Sequence, residues 1–312
     1  MSFRQPDARV RPFFAVRGVK TKDAAGRQKF RRGGGPGYNR RAMTPKIRIS
    51  LVHFINSAPL GWAFLHGRFR DRFEVIPSSP AVCADQLRGG EVEIGLIPSI
   101  EYQRIPDLEI LPGIAIASRA EVRSILLIKP KGIADVRSVA LDTSSRTSVA
   151  LARILLRRKM GIDPELVPHA PDAAAMLRRC DAALIIGDAA LKVVPEDYDA
   201  LDLAAEWVAW QQKPFVFAFW ACRAAAELPD DLGAVFLEAK RLGLAARPEI
   251  AASFAGPLGL EGSFLENYLY RNIDFDLGPE HIGGLELFYR LAREQGLIPG
   301  LRPLRFASVP AP

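Results

Sequence analysis

The sequence contains no apolar run approaching the roughly 20 residues that span a bilayer. Its densest apolar stretches, Ala182 to Ile186 and Phe215 to Cys222, are short and read as buried strands. Cysteine is scarce: Cys83, Cys180 and Cys222 are far apart and odd in number, which gives neither a disulfide framework nor a paired zinc spacing. Each reads as a small buried hydrophobe, in keeping with a reducing, cytoplasmic setting. The four histidines, His53, His66, His169 and His281, have no metal-ligand spacing. No glycine-rich dinucleotide fingerprint follows a strand, no phosphate-binding loop ends in Gly-Lys-Ser or Gly-Lys-Thr, and no nucleophile elbow is present. The expectation is chemistry with no metal, nucleotide or flavin cofactor.

The charge of +7 over 312 residues misleads. Residues 1–44 hold 12 Lys+Arg against Asp7 and Asp23, a local +10, so the remainder carries 30 basic and 33 acidic residues and is slightly negative, −3. The basic character belongs to the first segment, so the folded part is not expected to bind nucleic acid or a membrane. That segment has no apolar face and carries the run Gly33-Gly34-Gly35-Pro36-Gly37. Three readings of it stay open: a disordered basic extension, a start assigned too early, with Met43 just before the first strand, and, less favoured, a basic arm for nucleic acid or anionic lipid. It lacks the apolar core of an export signal.

From residue 46 strands and helices alternate, as in parallel sheets covered by helices. Two apolar strands, Ser124 to Ile128 and Phe215 to Cys222, flank a self-contained α/β stretch, and mostly helices follow the second. The pattern predicts an α/β, two-lobed fold of the type II periplasmic-binding-protein kind. Residues 45–129 plus 216–305 would form one lobe and 130–215 the other, with a ligand cleft between them.

Five constellations could line that cleft. In Asp142-Thr143-Ser144-Ser145-Arg146-Thr147-Ser148 a strand runs through a polar turn into an amphipathic helix. A helix N-terminus offers unpaired N–H groups and partial positive charge. Ser145, Thr147 and Ser148 add hydroxyls and Arg146 a guanidinium fork, together an anion site. Ordinary capping needs one hydroxyl; five of the six positions 143–148 have one. The second constellation, Ser118 to Ser124, holds Arg119 and Ser124 at the proposed crossover; its plain alternative is a solvated turn with a surface ion pair worth ~0–1 kcal/mol. Ile55-Asn56-Ser57-Ala58-Pro59 and Ile97-Pro98-Ser99-Ile100-Glu101-Tyr102 both follow strands, where polar groups either meet a ligand or make a turn. In Ile185-Ile186-Gly187-Asp188, Gly187 permits close approach, and capping is the simpler role for Asp188. Trp207, Trp210, Phe215, Phe217, Phe219 and Trp220 read as core or cleft wall.

The segments Asn56 to Pro59, Gly90 to Tyr102, Ser118-Arg119 with Glu121-Val122 and Ser124, Asp142 to Ser148 and Asp181 to Leu191 resemble the chorismate dehydratase family in order and spacing. The likeness runs from residue 46 to about 300 and leaves out residues 1–44. The resemblance implies a cofactor-free lyase of the futalosine route to menaquinone, converting chorismate to 3-[(1-carboxyvinyl)oxy]benzoate and water. It implies that Asn56 and Ser124 are catalytic. Ser57, Ser99, Arg119, Ser145, Arg146, Thr147, Ser148, Gly187 and Asp188 would bind substrate. The rival readings are the 1,4-dihydroxy-6-naphthoate synthase of the same route, a non-catalytic small-carboxylate binding protein, which would need export, and a regulator's effector domain, which would need a helix-turn-helix.

Overall fold

The structure, a computed structural model, describes residues 46–194 and 196–308. The basic segment 1–44 lies outside the described residues. The first sheet begins with β1 (Ile47–Val52), β2 (Phe73–Ser78), β3 (Ile94–Pro98) and β4 (Leu108–Ser118). The second contains β5 (Ile125–Pro130), β6 (Ser138–Asp142), β7 (Glu165–His169), β8 (Ala182–Ile186) and β9 (Tyr198–Asp202). The chain then returns as β10 (Phe215–Arg223) to the first sheet. The strand orders are β2-β1-β3-β10-β4 and β7-β6-β8-β5-β9. In each sheet three neighbouring strands are parallel, while β10 in the first and β5 in the second run antiparallel to their neighbours.

This arrangement carries the two-lobed α/β fold and moves one boundary. The apolar strand at 125–128, expected at the end of the first lobe, pairs with β8 and β9 in the second sheet. The crossings between sheets are the short segments 119–124 and 212–214, about ten residues before position 129 in the first case. The two apolar strands thus lie in different sheets, and the sheets are linked by loops rather than by the strands themselves. β10 is buried at every position but its last, because a strand covered on both faces needs a continuous apolar run and not an alternating one. Four elements that sequence reading did not identify are β4, β7, β9 and helix α5, placed below. In β4 the pair Pro112-Gly113 reads as a turn; Gly113 instead takes φ +77° inside the strand, and the pairing with β10 shifts register twice.

The covering helices are α1 (Ala58–Leu65), α2 (Pro80–Gly89), α3 (Arg146–Ile154), α4 (Ala173–Arg179), α5 (Leu203–Gln211), α6 (Leu232–Ala245), α7 (Arg247–Leu258), α8 (Gly262–Arg271) and α9 (Pro279–Glu294). Most of the aromatics of uncertain role prove to be core. Trp220 packs edge-on to Phe236 at 5.1 Å, and Trp207 to Phe215 at 5.2 Å. Phe219 is fully buried, Trp210 is part-buried against the same core, and Phe217 reaches the space between the sheets.

Helix α6 lies on α1, which starts two residues after Asn56 and so helps fix where that residue stands. The close approach depends on Gly243, where an added Cβ would sit 1.7 Å from the Pro59 carbonyl oxygen. Alanine would improve helix propensity by ~1 kcal/mol, yet the clash is with backbone and cannot be relieved by a rotamer change. Gly243→Ala is expected to lose about 1–3 kcal/mol of stability overall, read from the urea midpoint of unfolding.

Candidate active site

Each sheet contributes two parallel strands, β1 with β3 and β6 with β8, and each of the four delivers one sequence-predicted segment at its carboxyl end. β1 leads into a 3₁₀ turn at Ile55–Ser57, β3 into Ser99, β6 into the turn that opens α3, and β8 into Gly187-Asp188. Carboxyl ends of parallel strands are where ligand clefts form in open α/β sheets. Between the sheets lies a cavity of about 50 Å³ whose lining includes Phe54, Asn56, Ser145, Ser148, Gly187 and Phe217. Ile116 of the first sheet and Ile125 of the second face it too, so both lobes supply an apolar wall.

The polar groups at this cavity are few. Asn56 is 9% exposed, and its Oδ1 is buried with no hydrogen-bond partner. An unmatched buried acceptor costs about 1–3 kcal/mol, so it marks a place where a ligand group belongs. Ser124 lies behind the cavity wall, next to the lining residue Ile125; it is fully buried, and its Oγ accepts a hydrogen bond of 2.8 Å from the Tyr268 hydroxyl on α8. With that lone pair engaged, the Ser124 proton is free to point elsewhere. Burial pushes the Tyr268 hydroxyl well above its ordinary pKa, and the nearby Asp188 charge adds to this against the hydrogen bonds of Ser124 and Asn56. Tyr268 thus stays a neutral donor. Asn56, Ser124 and Tyr268 form one group.

Five hydroxyls in the turn before α3 divide between two tasks. Ser144 donates to Asp142 Oδ1 at 2.6 Å within the turn, and Thr143 to the His169 carbonyl at the end of β7 at 3.3 Å. Thr147 Oγ1 accepts from the Ile100 N–H of the first lobe at 3.2 Å. Ser145 is the N-cap, and its hydroxyl donates to Ser148 Oγ at 2.8 Å. Positions 145 and 148 share a helix face, and both line the cavity beside the N-terminus of α3.

Several expected binding residues are engaged elsewhere. Arg146 makes a bidentate pair with Asp85 at 2.7 and 3.0 Å and reaches buried Glu101 at 3.0 Å, all three on the protein's own carboxylates. The guanidinium holds Asp85 below the usual carboxylate range. The next residue after Ser145 is turned about 100° around the helix, which takes its side chain off the cleft face. Arg119, half exposed, pairs with Asp274 at 2.7 Å and with Glu280, the plain ion-pair reading. The Ser57 hydroxyl is shared between the carbonyls of Val52 and Phe54 and holds the 3₁₀ turn. Ser99 donates to the Val216 carbonyl at 2.8 Å and so anchors β10. None of these four lines the cavity among the described residues. Tyr268 was missed: its partner Ser124 is 144 positions away, and nothing local in α8 signals the contact.

Gly187 and Asp188 join the lobes. Gly187 has φ +63°, and a Cβ there would meet the Phe54 ring at 2.8 Å, so both backbone and packing require glycine. Asp188 does not cap its own helix; its Oδ1 accepts from the Ile55 N–H across the cleft at 3.0 Å. Burial pushes its pKa up to about 6, against the Ile55 bond and the charges of His53 and Lys192. A carboxyl with a folded-state pKa above its unfolded value favours folding at low pH, and that contribution is lost as pH rises from about 4 to about 6. Comparing urea unfolding across this window, the wild type should lose up to roughly 3 kcal/mol relative to Asp188→Asn, which keeps the acceptor and removes the titration.

Comparisons with known proteins follow the same outline. A family profile described as menaquinone biosynthesis matches residues 47–294. A chorismate dehydratase of Thermus thermophilus is 32% identical over 264 residues, covering 79% of this chain and 94% of that protein. Among solved structures, a protein of Archaeoglobus fulgidus aligns with a TM-score of 0.68 at 20% identity over 81% of this chain and 98% of its own. The periplasmic aliphatic sulphonate binding protein of Escherichia coli aligns with a TM-score of 0.59 at 18% identity over 82% and 95%. These two bear on the fold alone and give it the periplasmic-binding-protein form. The match at 47–294 takes in every strand and helix that supplies the cleft, and the chain belongs to the menaquinone-biosynthesis family.

Proposed function

We propose that the chain is a chorismate dehydratase, a carbon–oxygen lyase acting without an added cofactor. The observation that carries this reading is the 32% identity to a chorismate dehydratase along 94% of that protein's length. The cleft suits the chemistry. Chorismate bears two carboxylates, a hydroxyl and an unsaturated ring. The N-terminus of α3 with Ser145 and Ser148 receives one carboxylate. Asn56 and Ser124, steadied by Tyr268, hold the C4 hydroxyl. Phe54, Ile116, Ile125 and Phe217 enclose the ring and keep water away.

In the reaction the C3–H and C4–O bonds break, a C3=C4 double bond completes the aromatic ring, and the departing hydroxide leaves as water with the proton. Among the described residues no carboxylate or imidazole lines the cavity. The base is therefore assigned to a carboxylate of the substrate, with the protein supplying orientation and donors. At about 50 Å³ the cavity is far below the ~300–1,000 Å³ of ordinary ligand pockets, so the substrate enters a wider cleft and the lobes close on it.

Purified full-length protein is expected to convert chorismate to the enolpyruvyl benzoate with no added metal or nucleotide, followed by mass spectrometry and ultraviolet absorbance. Failure to do so, with turnover of a cyclic futalosine derivative instead, would replace this reading by the naphthoate synthase. Asn56→Ala and Ser124→Ala should each lower kcat by about 10²–10³-fold with unchanged circular dichroism. Tyr268→Phe, which acts through Ser124 and Asn56, should lower kcat by about tenfold and leave KM near the wild-type value; equal losses in all three would make Tyr268 a direct participant.

A further inference from the structure

A second cavity, of about 230 Å³, opens on a different face of α3 from Ser145 and Ser148. Arg146, Val149, Ala150 and Arg153 meet it with the i, i+3, i+4, i+7 spacing of a single helix face. Leu141, Thr143 and Pro168 complete the part from the second lobe. The opposite wall comes from the first lobe: Arg104, just past the turn that follows β3, and Leu297, just past α9.

Two properties set this cavity apart from a packing gap. The first is its charge. Asp85 and Glu101 are the acids here, and Arg88, Arg104 and Arg146 are all ion-paired with them. Arg153 is a fourth guanidinium with no ion pair among the described residues, and its Nε is buried without any hydrogen-bond partner. Four cations against two anions leave a local excess of positive charge. A buried, unmatched donor on a charged group is costly, and an anion would relieve it. The second property is the floor. Leu141, Val149, Ala150, Pro168 and Leu297 are apolar, which suits a hydrocarbon ring and not a fully hydrated ion. A free planar fork prefers a carboxylate, and the volume sits just below the ~300 Å³ lower end of common ligand pockets, which limits the ligand to about one ring.

We infer that this cavity is a second ligand site, separate from the cleft, for a small aromatic monocarboxylate whose carboxylate meets Arg153 and whose ring rests on the apolar floor. The walls belong to both lobes, so an occupant binds one relative arrangement of the lobes better than others. It also rests on the helix that presents Ser145 and Ser148 to the cleft, which links the two sites through one rigid element.

The test uses the full chain and benzoate as the probe, by isothermal titration calorimetry without chorismate, so that it stands apart from the dehydratase reading. Benzoate should bind the wild type and Asn56→Ala alike. Binding should fall at least about tenfold in Arg153→Met, through loss of a charge-assisted bond. It should fall likewise in Val149→Phe, which fills the cavity and keeps every charge, and this variant decides the matter if the first does not fold. Chorismate turnover without benzoate should be unchanged in Arg153→Met. Absence of benzoate binding at millimolar concentration, or binding indifferent to both substitutions, would overturn the site. Displacement of benzoate by equimolar inorganic phosphate would overturn the assigned ligand class.

Discussion

Glu101 is 1% exposed, and water cannot solvate its charge. Three guanidiniums do so instead: Arg88 at 2.6 Å, Arg104 at 2.8 Å and Arg146 at 3.0 Å. The first two stand in the same lobe as Glu101, and Arg146 comes from the other. A buried ion pair contributes little net stability compared with an apolar replacement, but removing one partner from it is strongly unfavourable. Its effect here is geometric. With Arg146 fixed by Glu101 and Asp85, the first turn of α3 has one rotation available. That rotation sets Thr147 on the Ile100 amide and turns Ser145 and Ser148 to the cleft. The cleft's hydroxyls are placed by charges that do not enter it.

The same economy runs through the polar residues of the strand ends. Ser57, Ser99, Ser144 and Thr147 are all engaged by backbone or side-chain partners that hold turns and join elements. What is left facing the space between the sheets is a small set on apolar walls: the Asn56 amide and the two serines of α3, with the buried Ser124–Tyr268 pair behind Asn56. A reaction driven by aromatisation asks for orientation and a few well-aimed donors rather than a powerful base, and a site this sparse is consistent with such chemistry.

The strands β8 and β10 were plain in the sequence, because a short, continuous apolar run bounded by polar turns fits a buried strand and is too brief for a buried helix. β4 was not, since Pro112-Gly113 carries the signature of a turn whether or not the surrounding sheet absorbs it as a bulge. The boundary error at 119–129 has a similar origin: β5 is as apolar as a strand of either sheet, and only its hydrogen bonds to β8 and β9 assign it. Asn56, Ser145, Ser148 and Gly187 were legible as cleft residues because they follow strands whose ends must converge. Arg119 and Arg146 were not, because an arginine in a polar turn reads the same whether it meets a ligand or a carboxylate of its own chain. Asp85, Asp274 and Glu280, which decide the matter, are distant in sequence.

The insertion of β10 between β3 and β4 has a bearing on how the protein is made. Strands that flank β10 in the sheet leave the ribosome about a hundred residues before it does. The second lobe, by contrast, is a single unbroken segment whose five strands are complete once β9 has emerged. The half of the molecule that is synthesised first must therefore wait, its sheet open and its apolar edges unpaired, while the half synthesised second closes ahead of it. During translation the order of completion runs opposite to the order of the chain, and an arrest or truncation before Phe215 leaves a finished lobe attached to an unfinished one with two exposed strand edges, the kind of surface that chaperones hold and that aggregation begins from.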